Sequence, residues 1–343
     1  MGLVYFSGFE DGRNTQFTFP NLDYTPSQTQ ARTGSWSLQV AADREDYAIL
    51  GASAQLAATG DECIMGAGFY AAGSGEQGAI WGMQFGSEAS YIGMWLESDG
   101  SLDIRRHSNL NSGGTSLGST SPAAVSFSTW AYIELAVVFS DTVGTVKLRV
   151  NGATPAGWSD LTSQDTIEAG SGETSRTMVF NTGDTTSGDP AYVGLSYIDD
   201  IYLLDPTGES APFNDFLGPV GVERIVPDGD SLTTNWTSSG ANFFSVLDED
   251  PVSNTDYADS NTASSDLRMT MTDRAEGGTI IAVKPHAIAE IQSGTGPRDV
   301  AAFVRADPGG TPTDSTKTGQ AIALVEQEVY SIVEQDPCLL YTS

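Results

Sequence analysis

The sequence is poor in positive charge: 15 lysines and arginines stand against 45 aspartates and glutamates, for a net charge of −30. A surface of this sign repels phosphate backbones and anionic lipids, so the composition argues against nucleic-acid and membrane partners. Cysteine is equally scarce. Cys63 and Cys338 lie far apart in the chain, which excludes zinc-ligand spacing and argues against a structural disulfide.

Long apolar runs are also missing, and none reaches the roughly 18 residues that a transmembrane helix needs. Residues 1–12 lack a basic region followed by an apolar stretch, so we expect no secretory signal peptide. Long helical periodicity is absent, whereas glycine is abundant at 38 residues. This balance predicts an all-β protein of many short strands and tight turns.

Alternating hydrophobicity is clearest in residues 129–152. Residues 133–139 and 146–150 each place apolar side chains at every second position, as half-buried strands do. The Asn151-Gly152 pair tolerates positive φ and predicts a turn, so we expect an antiparallel hairpin here. Further strands are predicted at 3–9, 35–40, 64–70, 79–85, 91–97, 101–106, 177–181 and 198–204.

The composition divides the chain into a β-sandwich at 1–205, a linker at 206–219 and a second, smaller β domain at 220–337. Strands of the second domain are predicted at 279–283, 287–292, 300–305, 321–324 and 329–334, with a short helix at 321–334 as the alternative. The last residues, 338–343, read as one frame of a transposase sequencing adapter. We interpret them as an artefact that truncates the second domain.

Several short sequence segments resemble those of a known fold. They are GFEDG (8–12), TGSWSLQV (33–40), DGSLDI (99–104), TWAYIELAV (129–137), GTVKLRVNG (144–152) and YIDDIYLLD (197–205). Their order resembles the concanavalin-A-like/laminin-G-like jelly roll. The stretch NDFLGPVGVERIVPDGD (214–230) resembles virion proteins of tailed bacteriophages, in which a second small β domain follows the lectin-like one.

The resemblance implies a non-enzymatic tail or structural protein of the virion, made in the bacterial cytoplasm. Its expected partners are other virion proteins, a host-surface glycan and further copies of itself. The alternatives are a free glycan-binding module and a concanavalin-A-like glycoside hydrolase, because a fold does not set its own function.

Hydrolysis of a glycosidic bond needs two carboxylates, about 5–5.5 Å apart for retention or about 6.5–9.5 Å for inversion. Related glucanases carry Glu-x-Asp-x-x-Glu on one strand, and this sequence has no complete copy. The nearest acids are Glu334 with Asp336 and the acidic turn at 248–250. Neither His107 nor His286 adjoins a nucleophile motif. We therefore predict no catalytic residue.

Acidic residues flank the first and last predicted strands of the sandwich. Glu10 and Asp11 close the first strand, and Asp199 and Asp200 open the last. In related sandwiches these strands are neighbours, so we predict a structural calcium ion bound by Glu10, Asp199 and Asp200. Strand alternation places Asp199 and Asp200 on opposite faces, so only one of them would face such a site. The alternative is that these acids block strand pairing at a sheet edge.

The strand at 91–97 predicts a carbohydrate site. Its aliphatic residues share one face, and Tyr91 and Trp95 share the other. If the aliphatic face is the core, the two rings face outward on a curved sheet, where flat aromatics suit sugar rings. The alternative is that a second layer or a loop covers them. Trp158, in a polar loop, is predicted to be exposed, and the tryptophans at 36, 81, 130 and 236 to pack in the core or at an edge.

Overall fold

A computed structural model describes residues 2–13, 17–18, 24–40, 47–50, 62–73, 78–85, 90–107, 114–167, 176–181, 195–233, 235–249, 253, 255–262, 265–272, 279–291, 298–306, 313–315, 317, 319–323 and 327–334. Within them the regular structure is β, apart from one 3-10 turn at Phe244–Val246. No helix of the described residues is long and apolar enough to cross a membrane.

Fifteen strands precede residue 205. They are β1 (Leu3–Ser7), β2 (Phe17–Thr18), β3 (Tyr24–Ser27), β4 (Ser37–Val40), β5 (Tyr47–Leu50), β6 (Glu62–Ala71), β7 (Gly78–Phe85), β8 (Ser90–Leu96), β9 (Leu102–His107), β10 (Thr115–Ser119), β11 (Ala131–Val138), β12 (Gly144–Val150), β13 (Leu161–Gln164), β14 (Arg176–Asn181) and β15 (Ser196–Leu204). Twelve follow: β16 (Pro227–Thr233), β17 (Thr237–Ser238), β18 (Ala258–Asp259), β19 (Leu267–Met271), β20 (Ala282–Val283), β21 (His286–Ala289), β22 (Arg298–Val300), β23 (Arg305–Ala306), β24 (Thr313–Asp314), β25 (Gln320–Ile322), β26 (Gln327–Tyr330) and β27 (Val333–Glu334).

The first fifteen strands form two antiparallel sheets. An eight-stranded sheet runs β13-β12-β11-β6-β15-β4-β3, with β1 also paired to β15, and a seven-stranded sheet runs β10-β9-β8-β7-β14-β5-β2. The prediction of an antiparallel sandwich is confirmed. The first and last strands are neighbours, as expected, because β1 pairs with β15 along Leu3–Ser7.

The predicted hairpin is confirmed as β11 and β12. Ile133, Leu135 and Val137 face Val150, Leu148 and Val146 in register, which places their side chains on the core side of the sheet. Each such side chain contributes about 1.5–3 kcal/mol when it leaves water. Asn151 and Gly152 have φ of 51° and 76°, so the turn prediction is confirmed too.

The outer face of the eight-stranded sheet is covered rather than exposed. A second hydrophobic cluster contains Tyr132, Ala136 and Tyr202 from the sheet and Phe213 from residues 206–219. The segment predicted as a linker from its composition therefore packs on the sandwich, and Ile281 of the following segment packs on the same cluster.

Residues 227–334 form six two-stranded pairs and no larger sheet among the described residues. Four pairs are nested, from β20 with β27 to β23 with β24, so the described residues of 282–334 are paired in the order of one long hairpin. Described residues of 321–334 are strands or irregular, so the helix alternative is wrong. The boundaries of a separate second domain remain a prediction, and residues 338–343 lie outside the described residues.

Candidate functional site

The outer face of the seven-stranded sheet collects polar and aromatic side chains. Three rows cross its neighbouring strands β7, β8 and β9: Gln84–Tyr91–His107, Gly82–Gly93–Arg105 and Ala79–Trp95–Asp103. The intervening residues of β8, which include Ile92 and Met94, belong to the core between the sheets. Because side chains alternate along a strand, the three rows face away from that core.

Arg105 contacts several other side chains of this face. Its Nε donates to Asp103 Oδ2 at 2.6 Å, and its Nη2 donates to Glu97 Oε1 at 3.0 Å. The guanidinium carbon lies 4.4 Å from the centre of the Trp95 ring, the geometry of a cation–π contact. Ser116 Oγ, from β10, donates to the other oxygen of Asp103 at 2.5 Å. The row residues are thus held in a connected network, not as independent surface groups.

A notch opens in the middle of the face at Gly93. This glycine is half-buried, whereas Tyr91 and Trp95 on either side are 4% and 5% exposed. A Cβ placed on Gly93 would meet only His107 Nε2 and Cδ2, at 3.7 and 3.8 Å. The missing side chain therefore leaves a small space beside His107, and the strand register places Tyr91, Trp95 and Arg105 at the neighbouring positions of the same face.

Tyr91 and Trp95 lie on the face that the sequence predicted, but their expected exposure is wrong. Both rings are buried. Arg105 lies over the Trp95 ring, and Ala79 packs beside that ring in a small cluster separate from the main core. The covered arrangement, which was the alternative, is the one observed. The predicted exposure of Trp158 is also wrong: it is 6% exposed, packs in the core and donates from Nε1 to an oxygen of Asp160.

Asp199 and Asp200 do not point to opposite faces. Both are fully buried, and both side chains bind the same loop. The register of β15 shifts between Asp199 and Tyr202, and Asp200 has a φ of 49°. A bulge of this kind breaks the alternation from which the prediction was made. The edge-charge alternative is wrong for Asp199 and Asp200, because β15 lies between β6 and β4.

The two aspartates anchor the loop at 32–33 to the sandwich. Asp199 Oδ2 accepts from the Arg32 backbone N–H at 2.8 Å, and Asp200 Oδ2 accepts from Arg32 Nη1 at 2.6 Å. Thr33 Oγ1 donates to Asp200 Oδ1 at 2.5 Å. Val222 N donates to the same oxygen at 2.7 Å, which ties the chain after residue 219 to this cluster.

Burial dominates the ionisation of this pair. It raises the pKa of Asp199 to about 8, and the charge of Asp200 adds to the rise. The pKa of Asp200 is also raised by burial, although the hydrogen bonds from Thr33 and Val222 and the charge of Arg32 oppose the rise. Arg32 therefore faces two buried carboxylates, and this arrangement favours a pair that keeps one proton near neutral pH.

The calcium prediction gains no support from these contacts. Glu10 accepts from the backbone N–H groups of Ser35 and Trp36 at 2.9 and 3.1 Å. Asp199 and Asp200 are likewise occupied by protein donors. Among the described residues, no group of three or more acidic, histidine or cysteine side chains is placed to hold a metal. Calcium binding by Glu10, Asp199 and Asp200 stays a prediction.

Of the acids considered for glycoside hydrolysis, Glu334 is bound to the backbone of the first strand. Glu334 Oε1 accepts from the Leu3 backbone N–H at 2.6 Å, a contact that joins the end of the hairpin to the first strand. Asp336 and Asp250 lie outside the described residues. His286 Nε2 lies 3.0 Å from Glu328 Oε1, and His107 is buried on the outer face of the seven-stranded sheet.

Sequence reasoning missed one buried acid, Glu134. It lies on β11, and its Oε1 accepts from Tyr202 Oη at 2.6 Å and from the Gly218 backbone N–H at 2.8 Å. Its Oε2 is buried without a hydrogen-bond partner, and burial raises the pKa of the carboxyl group. Alternation along β11 places Glu134 on the outer face of the sheet, and the segment that covers this face is remote in sequence, so no local signal marks the residue as buried.

No protein-family model and no curated protein matches the sequence. Solved structures match it at low identity. The marine PL-14 alginate lyase from Aplysia kurodai is 17% identical with a TM-score of 0.42, over 54% of this chain and 87% of the lyase. Cellulose induced protein Cip1 is 18% identical with a TM-score of 0.39, over 58% of this chain and 96% of Cip1.

The exoplasmic/lumenal domain of VIP36, in its Ca²⁺- and Man3GlcNAc-bound form, is 12% identical with a TM-score of 0.37, over 61% of this chain and 92% of that domain. Likeness at this level carries no argument about this chain. The described part of the chain is all-β apart from one 3-10 turn, and its first fifteen strands form a sandwich of two antiparallel sheets.

Proposed function

We propose that this protein binds a glycan, without turning it over, at the notch above Gly93 on the outer face of the seven-stranded sheet. The observation that carries the proposal is the notch itself, a gap in a sheet face between two aromatic side chains. Sugar sites combine apolar ring surface with a few fixed polar groups that set orientation. Here the nearly buried rings of Tyr91 and Trp95 stand on either side of Gly93, and His107 and Arg105 are the polar groups at the neighbouring positions.

The hydrogen bonds of the nearby acids favour binding without catalysis. Asp103 and Glu97 are the carboxylates closest to the notch among the contacts described, and Arg105 donates to both. A general acid or base must be available to exchange a proton with the substrate. The hydrolase alternative is tested by incubating the protein with the bound glycan and measuring new reducing ends. Their release, lost on Asp103→Asn, would make the protein an enzyme.

We further propose that the glycan lies on a bacterial host and that the protein is part of a tailed-phage virion. The support is the resemblance of residues 214–230 to virion proteins and the strongly acidic composition. The genes beside the coding sequence test this part. Terminase, portal or tail genes would agree with it, and a locus of polysaccharide-degrading enzymes would contradict it.

The binding proposal is tested with Gly93→Ala on a glycan array, followed by calorimetric titration of the best ligand. The added methyl fits, because its nearest neighbours stand at 3.7 Å or more, yet it fills the notch. We expect the affinity to fall at least tenfold, about 1.4 kcal/mol. Trp95→Ala is a poorer variant, because truncating a buried tryptophan costs about 3–5 kcal/mol of stability.

Gly118→Ala is the matched control. Gly118 lies in the same sheet, but a Cβ there would point toward Trp158 and Leu161, at 3.4 and 3.8 Å, on the core side. This variant should bind like the wild type. Equal affinities for Gly93→Ala and the wild type would refute the notch as the site, and an array without any ligand would refute glycan binding.

A further inference from the structure

We propose that residues 214–218 form a strap that lifts from the outer face of the eight-stranded sheet when Glu134 loses its proton. The strap is a conformational switch that responds to pH. It does not depend on glycan binding, because Gly93 lies in the other sheet. Three features support the switch: the contacts that hold the strap, a buried oxygen beneath it and the charges around that oxygen.

Two backbone N–H groups hold the strap to the sheet, and both depend on Glu134. Gly218 N donates to Glu134 Oε1 at 2.8 Å. Leu217 N donates to Tyr202 Oη at 3.3 Å, and Tyr202 Oη donates in turn to the same Glu134 oxygen at 2.6 Å. A change at this one carboxyl group therefore acts on both hydrogen bonds of the strap.

The chain is fastened at both ends of the strap. Before it, Phe213 is buried in the second hydrophobic cluster. After it, Arg32 Nη1 donates to the carbonyl oxygen of Val220 at 2.6 Å. Gly218 has a φ of 77°, in the left-handed region that favours glycine. The strap can therefore open as a local unit while the sandwich stays folded.

The oxygen beneath the strap is Glu134 Oε2. Glu134 is fully buried, and among the described residues nothing donates to this oxygen. A neutral carboxyl group carries its proton there, whereas an ionised one leaves a buried negative charge without a donor, which is costly. Lifting the strap admits water, which donates to Oε2. The closed strap thus favours protonated Glu134, and the open strap favours the carboxylate.

The charged groups around Glu134 do not compensate for its ionisation. Arg149, opposite on β12, donates from both Nη atoms to Asp160 at 2.9 Å. Asp215, in the strap itself, adds a negative charge that disfavours the ionised form. Opposite on β6 stands Gly66, which carries no charge. The later residues that pack on this cluster are apolar: Ile281, Ala282 and Ile332.

The titratable neighbours stay neutral while Glu134 ionises. Burial raises the pKa of Tyr132 and of Tyr202 well above the ordinary value for tyrosine. Burial also raises the pKa of Glu134, and the hydrogen bonds and the charge of Arg149 oppose this rise only in part. Because the folded-state pKa is raised, the closed state is stabilised at acidic pH, and this stabilisation is lost as pH rises.

Hydrogen exchange of the backbone amides measures the opening. Mass spectrometry of the wild-type protein gives the protection of residues 214–218 across a pH series, with each exchange rate compared with its intrinsic rate at that pH. We expect this protection to fall at least about tenfold from acidic to alkaline pH. The protection of β12 (Gly144–Val150), in the same sheet, should stay constant, which separates strap opening from global unfolding.

Glu134→Gln tests the assigned group. Glutamine is neutral throughout the series and keeps an oxygen acceptor for Gly218 and Tyr202, so this strap should stay as protected at alkaline pH as at acidic pH. Glu62→Gln is the matched control, because Glu62 lies on β6 of the same sheet but pairs with Lys147 Nζ at 2.6 Å. The control should keep the pH dependence of the wild type.

The wild-type series decides the proposal even if a variant fails to fold. A fall in strap protection with constant protection of β12 supports it, and strap protection that does not change with pH overturns it. Loss of the pH dependence in Glu134→Gln alone assigns the switch to this carboxyl group. A Glu134→Gln strap that opens with rising pH as the wild type does would overturn the proposal, because another group would then drive the opening.

Discussion

Replacing Arg32 tests the buried aspartate cluster, which joins the last strand of the sandwich to the loop at 32–33. Arg32 Nη1 donates to Asp200 Oδ2 and to the carbonyl oxygen of Val220, both at 2.6 Å, and the guanidinium lies 4.6 Å from the centre of the Tyr132 ring. Arg32→Met keeps most of the side-chain volume and removes the charge and both hydrogen bonds.

The expected cost depends on pH. Where the aspartates are ionised, removing the partner of a buried carboxylate costs about 3–5 kcal/mol. At acidic pH both are neutral, and the loss shrinks to the hydrogen bond to Val220 and the ring contact, about 1–2 kcal/mol. The folded-state pKa of Asp199 is raised to about 8, so protonated Asp199 stabilises the folded protein at acidic pH. This stabilisation is lost as pH rises through about 8.

Urea denaturation followed by tryptophan fluorescence measures this difference, at an acidic pH and at a pH above the pKa of Asp199. Arg149→Met is the control, because Arg149 pairs with the half-exposed Asp160, where such a pair contributes less than about 1 kcal/mol. An equal loss for Arg32→Met at both pH values would refute the electrostatic reasoning, and so would a loss no larger than that of Arg149→Met.

Two further stability predictions concern buried acids. Burial raises the pKa of Glu134, so the stabilisation by its protonated form is lost as pH rises. In thermal melts at acidic pH, the free energy of unfolding of Glu134→Gln should lie within about 1 kcal/mol of that of the wild type. At higher pH in the same series, the variant should become more stable relative to the wild type. Burial alone would raise the pKa of Glu328, but the hydrogen bond from His286 and the charge of Lys284 lower it. Lys284→Met should therefore cost about 3 kcal/mol in urea denaturation at neutral pH, and less as pH falls through the lowered pKa.

The strands were predictable wherever local alternation decides which side chains are buried. The β11–β12 hairpin is such a case, since every second residue from Ile133 to Val137 is apolar and Asn151-Gly152 supplies the turn. Short strands such as Tyr24–Ser27 carry no alternation, and they were missed because pairing with β4 stabilises them rather than their own pattern.

Which face of the sheet the site residues occupy was predictable, but how deeply they are buried was not. Alternation placed Tyr91 and Trp95 on the outer face correctly, yet the Trp95 ring is covered by Arg105, which lies on the next strand of the sheet. The orientation of Asp199 and Asp200 failed for a related reason: a one-residue bulge reverses it, and the sequence shows no mark of that bulge.

The measurement closest to the central claim is a crystal structure of the protein with the tightest ligand from the array. We predict a sugar ring above Gly93, in contact with Tyr91 and Trp95 and within hydrogen-bond distance of His107 or Arg105. A glycan bound elsewhere, with the space above Gly93 empty, would contradict it.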